Sequence, residues 1–327
     1  MAEKRALPFV SVIVPVLDDL PGLNRCLAAL IRQDYPTHLM EVIAVDNGSS
    51  VDLRPALPAD PRFHLLREEG PGSYAARNRG LACAKGDVIA FTDADCSPEP
   101  AWLTQGVAAL IGPPGADMVG GAVQLYFRSA RPRGLAEAFE DREAFPQAGY
   151  VAQGWAVTAN MFTWRRSFDR VGTFDGTLRS RGDADWGQRL TRTGGVIRFA
   201  PEAAVLHPAR GEMRELLVKS RRTGRGKCDQ QARQGGSRRN ILGLAAHQLR
   251  LAVKKLVGGW REPAPRSSGS RVAYLAAYTI VRLAVAGEMV NYAVRMPSRD
   301  YRSSRPTRGP RGASSDVDLD IDTHLRG

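Results

Sequence analysis

Cysteine is scarce. The four in 327 residues, Cys26, Cys83, Cys96 and Cys228, show no Cys-x-x-Cys pair and no zinc spacing, which excludes a disulfide-stapled scaffold and a zinc ribbon. Cys26 and Cys83 fall in apolar, helix-like runs, where a small buried thiol is the expectation. Internal repeats are absent, which excludes a solenoid or propeller. Long uncharged apolar runs are missing as well. The most apolar segment, 272–294, carries Arg282 and Glu288. Its charge-free stretches reach only about ten residues, short of a bilayer's thickness, and an arginine at mid-membrane would cost roughly 3 kcal/mol. No apolar signal core follows Met1, so the cytoplasm is the expected location.

Negative charge is short in one place only. Residues 1–204 hold 22 Lys/Arg against 24 Asp/Glu, residues 205–312 hold 23 against 6, and the last fifteen one against four. The net +12 therefore belongs to the C-terminal third, a separate functional zone. That zone offers no nucleic-acid motif and no interleaved aromatic platform, so no nucleic-acid partner is expected. A basic amphipathic segment at 241–257, then the apolar segment, then an Arg-rich tail, suit an anionic membrane surface at the inner face of the cell membrane.

Runs at 9–15, 41–46, 62–66 and 87–92 are too continuously apolar to be half-exposed strands, and they alternate with helical patterns at 20–32, 73–85 and 98–110. This alternation predicts an α/β fold with a mostly parallel sheet covered by helices on both faces. Further on, 118–127 reads as extended, 134–145 as helix, 154–164 as a loop feeding a strand, and 173–189 as loop then helix. Short strands are expected at 196–200 and 203–206, and beyond 210 the pattern is helical. The expected organisation is a catalytic domain over 1–210, a basic helical extension over 211–296 with a linker at 261–271, and a disordered tail over 297–327.

Four groups follow or flank strand ends: Pro15-Val16-Leu17-Asp18, Asp46 to Asp52, Arg77-Asn78, and Asp93-Ala94-Asp95. Carboxylates at the mouth of buried strands carry a desolvation cost that a ligand can offset, and strand ends of open α/β sheets are where ligands bind. Hard oxygen ligands suit Mg²⁺ or Mn²⁺ carrying a diphosphate, and the planar fork of an arginine suits phosphate oxygens.

The ordered set formed by 10–18, 41–52, 75–80 with 86–96, 158–166 and 182–189 resembles glycosyltransferase family 2 of the GT-A type, over nearly two-thirds of the chain. The resemblance implies a GT-A, Rossmann-like sheet and an enzyme of the hexosyltransferase kind. It implies transfer from a nucleoside diphosphate sugar to a glycan, lipid-linked or small-molecule acceptor, with inversion. It places Asp46 at the nucleotide base, Pro15, Val16, Leu17 and Asp18 along the same pocket, Arg77 near the phosphates, and Asp93 at ribose or metal. Asp95 and His207 would hold the metal. Gly154, Trp155, Asn160, Asp185 and Trp186 would surround the sugar and acceptor. Where the family usually has Glu-Asp, this chain has Gly182-Asp183, so Asp183 would be the catalytic base. The Gln-x-x-Arg-Trp motif of processive synthases is absent, which implies addition of single sugars.

Simpler roles exist for the same residues. Asp46 can initiate a turn, Asp93 and Asp95 can cap a helix near Pro98, Asp183 and Asp185 can be acids of a helix's first turn, and Trp155 can be core. Two other functions share parts of the pattern. A sugar-phosphate nucleotidyltransferase would carry a Gly-rich, basic loop after the first strand, where Pro15 to Asp18 stand. A decayed transferase domain serving as a membrane or partner-binding module would not need the acidic set.

Overall fold

A computed structural model of the chain describes residues 6–127, 134–259 and 271–296. Of the expected linker only Arg271 is described, and the expected tail at 297–327 lies outside the described residues. Residues Met1–Arg295 form one compact unit.

The strands are β1 (Val10–Val16), β2 (Met40–Asp46), β3 (Phe63–Arg67), β4 (Val88–Thr92), β5 (Ser97–Pro98), β6 (Met118–Tyr126), β7 (Asn160–Trp164) and β8 (Ile197–Pro208). They make one sheet in the order β3-β2-β1-β4-β7-β6-β8-β5. The first four are parallel neighbours, β7 runs antiparallel between β4 and β6, and β8 returns parallel to β6. The chain steps from β1 outward to β2 and β3, then reappears on the other side of β1 as β4. Helices on both faces cannot fill the crevice that such a reversal leaves beyond the strand ends.

Helices cover both faces, and strand periodicity sorts the core between them. Val10, Val12, Val14 and Val16 face α1 (Leu20–Ile31) and α3 (Trp102–Ile111). Ile13, Ile43, Val45, Ile89 and Phe91 face α2 (Ser73–Cys83) and a cluster that includes Phe168, Phe174, Trp186 and Leu190. Apolar residues are required on both sides, which is why these strands show no polar alternation. Close approach of α3 depends on Gly106: a Cβ there would stand 2.2 Å from Cζ of Phe162, the ring that fills the gap.

The remaining helices are α4 (Leu135–Glu143), α5 (Gln147–Ala152), α6 (Arg165–Val171), α7 (Gly182–Arg192), α8 (Met213–Arg233), α9 (Arg238–Gly258) and α10 (Arg271–Arg295). Several boundaries depart from expectation. Strand β1 runs one residue past the expected end at Pro15, so of Pro15 to Asp18 only Leu17 and Asp18 lie beyond it. The two short strands expected at 196–206 are one strand whose pairing with β6 shifts register at Gly121/Ala122. The sequence of Met213 to Arg222 has a helical pattern expected to end at a basic cluster of Lys219, Arg221, Arg222, Arg225 and Lys227, but helix α8 continues to Arg233 and the cluster is mid-helix. Cys83 is exposed, not buried.

Helix α10 is long and apolar enough to cross a membrane by length and composition, yet it buries Tyr274, Tyr278, Val281, Val285 and Met289 against the rest of the unit. It packs on α9, α8 and α4. Arg282 points inward, where it bonds Gln248 of α9 at 3.0 Å. On α9 the buried face is Ile241, Ala245, Gln248 and Ala252. The helical spacing predicts Leu242, Ala246, Leu249, Val253 and Leu256 as its apolar face, yet the four large residues of that set are exposed and Ala246 is half-buried.

Candidate active site

The ends of β1 and β2 are laced together. Asp18, at φ 52°, donates its backbone N–H to Ser49 Oγ at 2.9 Å and accepts from the Ser50 N–H at 2.7 Å and the Ser50 hydroxyl at 2.8 Å. These bonds hold the Asp18 carboxyl below its usual pKa. Asp46, buried, accepts from the Ser49 N–H at 2.7 Å and from Arg67 at 2.7 Å. Its carboxylate is thus oriented rather than free, and each oxygen keeps a lone pair for another donor. Leu17 beside it is exposed.

Beyond β4, Asp93 meets Arg77 of α2 in an ion pair, with the arginine side chain 4% exposed and the aspartate 35%. Arg77 also reaches the Ser73 carbonyl at 3.3 Å, but its Nε is buried without a partner. An orphaned guanidinium N–H beside a partly open carboxylate has an unmet demand for an anionic oxygen.

Asp95 faces His207, at the end of β8, with Oδ2 3.3 Å from Nε2. The other ring nitrogen lies 2.7 Å from the Pro208 carbonyl, a contact only an N–H can satisfy. In the neutral ring that tautomer leaves a lone pair on Nε2 aimed at a carboxylate oxygen. A proton or a metal ion between the two atoms would relieve the repulsion of their lone pairs. Burial and the nearby Asp93 push the Asp95 carboxyl up, against the pull of His207, so its charge is under-compensated. Ligand atoms of Asp95, Cys96 and His207 all fall within 4.8 Å of one another. The residues therefore fit a divalent ion, with the carboxylate and imidazole as the hard donors and the second ring nitrogen pinned by a carbonyl.

Asp183, in the first turn of α7, is half-buried. It accepts from the Ala184 N–H at 2.8 Å and from the Tyr74 hydroxyl at 3.2 Å. Burial raises its pKa, only partly opposed by these bonds and by Arg77 and Arg181. Gly182 is explained by the same neighbour: a Cβ there would sit 2.7 Å from the Tyr74 ring. Tyr74 thus occupies the space a glutamate side chain would need.

Arg77, Asp93, Tyr74 and Asp183 line one cleft of about 520 Å³. Trp155 lines it too, but its ring stacks on Tyr150 at 4.1 Å and 24°, and Arg181 lies 5.6 Å from its centroid. Other residues expected about the acceptor stand elsewhere. Asn160 is fully buried, accepting from the Trp102 indole at 2.9 Å and bonding the Ala122 and Ala203 carbonyls at 2.7 and 2.8 Å; it clamps β6, β7 and β8 together. Trp186 is fully buried against Phe168 and donates to the Gly172 carbonyl at 2.8 Å. Asp185 pairs with Arg189 at 3.1 Å one turn on, and Gly154 makes a tight turn at φ 82° under Thr191.

The cleft's far wall comes from residues not anticipated as site residues: Glu140 and Glu143 of α4, Tyr150, Arg181, Lys219 and Lys227 of α8, and Arg282 of α10. Glu140, 1% exposed, is held by Arg210 at 3.2 Å and Lys219 at 3.1 Å. Burial works to raise its pKa, but these two cations outweigh burial and bring it below 4.5. A sequence signal for this wall existed in Gly224 and Gly226, two helix-weakening residues inside α8. Cβ atoms there would come within 3.0 Å of Val285 and Ser180, so the glycines mark where the basic helix closes on the domain.

Fold and cleft together define a class, an α/β glycosyl-transferring enzyme of the GT-A type. A family model for glycosyl transferase family 2 matches residues 11–180. The glycosyltransferase AglE of Haloferax volcanii is 36% identical over 247 residues, covering 73% of this chain and 79% of that protein. The pre-mycofactocin glycosyltransferase of Mycobacterium tuberculosis is 29% identical over 222 residues, but the match spans only 45% of its length. The chain belongs to glycosyltransferase family 2. Among solved structures, the mannosyltransferase PcManGT of Pyrobaculum calidifontis, with GDP-Man and Mn²⁺, shares the fold at a TM-score of 0.53 and 18% identity, over 90% of this chain and 77% of its own. GalNAc-T7, with UDP, GalNAc and Mn²⁺, does so at 0.51 and 18%, over 64% and 45%.

Proposed function

We propose that the enzyme transfers one sugar from a nucleoside diphosphate sugar to an acceptor hydroxyl with inversion, using Asp183 as base. One observation carries this reading: Asp183, ionisable and half-buried, shares a single cleft with the Arg77–Asp93 pair. Asp46 and the β1 end bind the nucleoside, and Arg77 and Asp93 meet the ribose and phosphates. Asp183 takes the acceptor proton as the hydroxyl attacks the anomeric carbon and the bond to the diphosphate breaks. Asp95 and His207 would hold Mg²⁺ or Mn²⁺, which supplies positive charge to the departing diphosphate. The GDP-Man and Mn²⁺ named with one solved neighbour, and the UDP, GalNAc and Mn²⁺ named with the other, support this donor class. In this reading residues 1–210 bind the donor, and 211–296 complete the acceptor side, where a glycan, a lipid-linked or a small-molecule acceptor enters. The outward stripe of Leu249, Val253 and Leu256, beside exposed Arg250 and Lys254, is the surface for an anionic membrane on the cytoplasmic side.

A thermal-shift panel of nucleoside diphosphates and their sugars, with and without Mn²⁺, tests the donor reading. At a hundredfold excess over Kd, occupancy adds about 2.7 kcal/mol. At least one nucleotide should stabilise the protein only with metal, and Asp95→Asn should abolish that shift. A panel with no metal-dependent shift refutes the reading.

A further inference from the structure

Seven cations and four carboxylates line the cleft. A nucleoside diphosphate sugar carries two negative charges on its diphosphate, and a divalent ion cancels them, so the donor does not account for the surplus. Arg181 acts on Asp183, and Arg181 and Arg282 both act on Lys227, so these three cations stand close together on the cleft wall. Lys227 has no hydrogen-bond or ion-pair partner among the described residues, and burial together with Arg181 and Arg282 lowers its pKa to about 8. Arg181 is held by Gln230 at 3.1 Å and, among the described residues, forms no ion pair with a carboxylate. Arg282 has one carboxylate, Glu143, at 3.8 Å, and that group already accepts from Tyr274 at 2.6 Å. The Nε of Arg282 is buried with no partner. Of these three cations only Arg282 meets a carboxylate among the described residues, and an orphaned N–H and a free ammonium stand with it. An arrangement this costly persists where an anion completes it.

We propose that Lys227, Arg181 and Arg282 bind a phosphate group carried by the acceptor, which seats the acceptor's hydroxyl against Asp183. This rests on the glycosyltransferase reading and names the acceptor class within it. The phosphate is a handle and not the attacking atom: a phosphate oxygen is already ionised and would leave Asp183 without a proton to take. The acceptor hydroxyl loses its proton to Asp183, its oxygen forms the bond to the anomeric carbon, and the electron pair of the broken bond leaves on the nucleoside diphosphate. Beside the cations the cleft wall is apolar, formed by the buried Leu216, Val281 and Val285.

Inorganic phosphate is the first probe, added to the full chain in EDTA, with thermal shift and calorimetry as readouts. Wild type should bind it, and Lys227→Met should bind about tenfold or more weakly, the weight of one charged hydrogen bond. Lys227→Arg should restore binding. The metal-dependent nucleoside diphosphate shift should survive in Lys227→Met and vanish in Asp95→Asn, while Asp95→Asn keeps phosphate binding. Loss of an uncompensated cation should also leave Lys227→Met at least as stable as wild type in phosphate-free buffer, which separates a binding defect from misfolding. Decyl phosphate and a hexose phosphate then distinguish the source: tighter binding of the alkyl ester, reduced by Val281→Asp, assigns a lipid phosphate, and equal binding assigns a soluble one. Unchanged phosphate affinity in Lys227→Met overturns the proposal, as does loss of nucleotide binding in that variant, which would give these cations to the donor. Failure of the nucleotide arm in wild type would refute the donor reading instead.

Discussion

Replacing Asp183 by asparagine separates chemistry from architecture. The Ala184 N–H at 2.8 Å and the Tyr74 hydroxyl at 3.2 Å both donate to one oxygen, and an amide oxygen accepts them equally. Asparagine cannot take a proton, and general-base catalysis contributes about 10²–10⁴ in rate, or roughly 2.7–5.5 kcal/mol of barrier. Stability should move the other way. A carboxyl whose folded pKa is raised by burial costs folding free energy as pH rises from 3.8 through the folded value, so at neutral pH the native aspartate is a liability that asparagine removes. The assay is metal-dependent donor hydrolysis with water as acceptor, run beside nucleotide binding and urea denaturation. Asp183→Asn should lose a hundredfold or more in turnover, keep nucleotide affinity, and unfold at the same or higher urea. The wild-type pH profile should lose activity on the acid side at a pH above the ordinary carboxylate range. Unchanged turnover refutes the assignment of the base, and lost nucleotide affinity with normal turnover per bound donor refutes the separation of roles.

Glu140→Gln should destabilise by about 3 kcal/mol in urea, because Arg210 and Lys219 are left facing each other without a counter-charge. The native contribution is full above pH 4.5 and disappears as pH falls through the lowered pKa, so the variant's deficit should shrink in acid. Val253→Glu with Leu256→Glu should weaken co-sedimentation with anionic vesicles at least tenfold, given about 1.5 kcal/mol per buried side chain. Donor hydrolysis should be unaffected, and unchanged vesicle binding would remove the α9 stripe as the membrane contact.

The fold was legible because both faces of the sheet are covered. Continuous runs such as Val88–Thr92 have no exposed side to dilute, and the alternation with helices dictated parallel neighbours. Residues at strand ends were legible for the same reason: Asp46, Asp93 and Asp95 follow where each run stops. Side-chain direction was not. Asn160 and Trp186 lie next to cleft residues in sequence, yet pairing turns one into the sheet and packing turns the other into the core. The C-terminal charges misled differently. Lys227 and Arg282 look like surface cations until Gly224 and Gly226 let α8 sit against α10 and the domain, and nothing in a charge count shows that. The apolar stripe of α9 was visible, but its outward orientation follows from the small Ala245 and Ala252 being the ones that fit against α10.

The cleft is written in two separate stretches of chain. The strand-end acid Asp93 comes from within residues 11–180, and the opposite wall is shared between residues 139–181 and helices that begin at Met213. Inheritance can act on the two independently. A lineage can pass the same donor chemistry to a new recipient by recasting residues 213–295, with no strand of the sheet disturbed. A graft of that helical segment between relatives becomes a rational route to a changed acceptor.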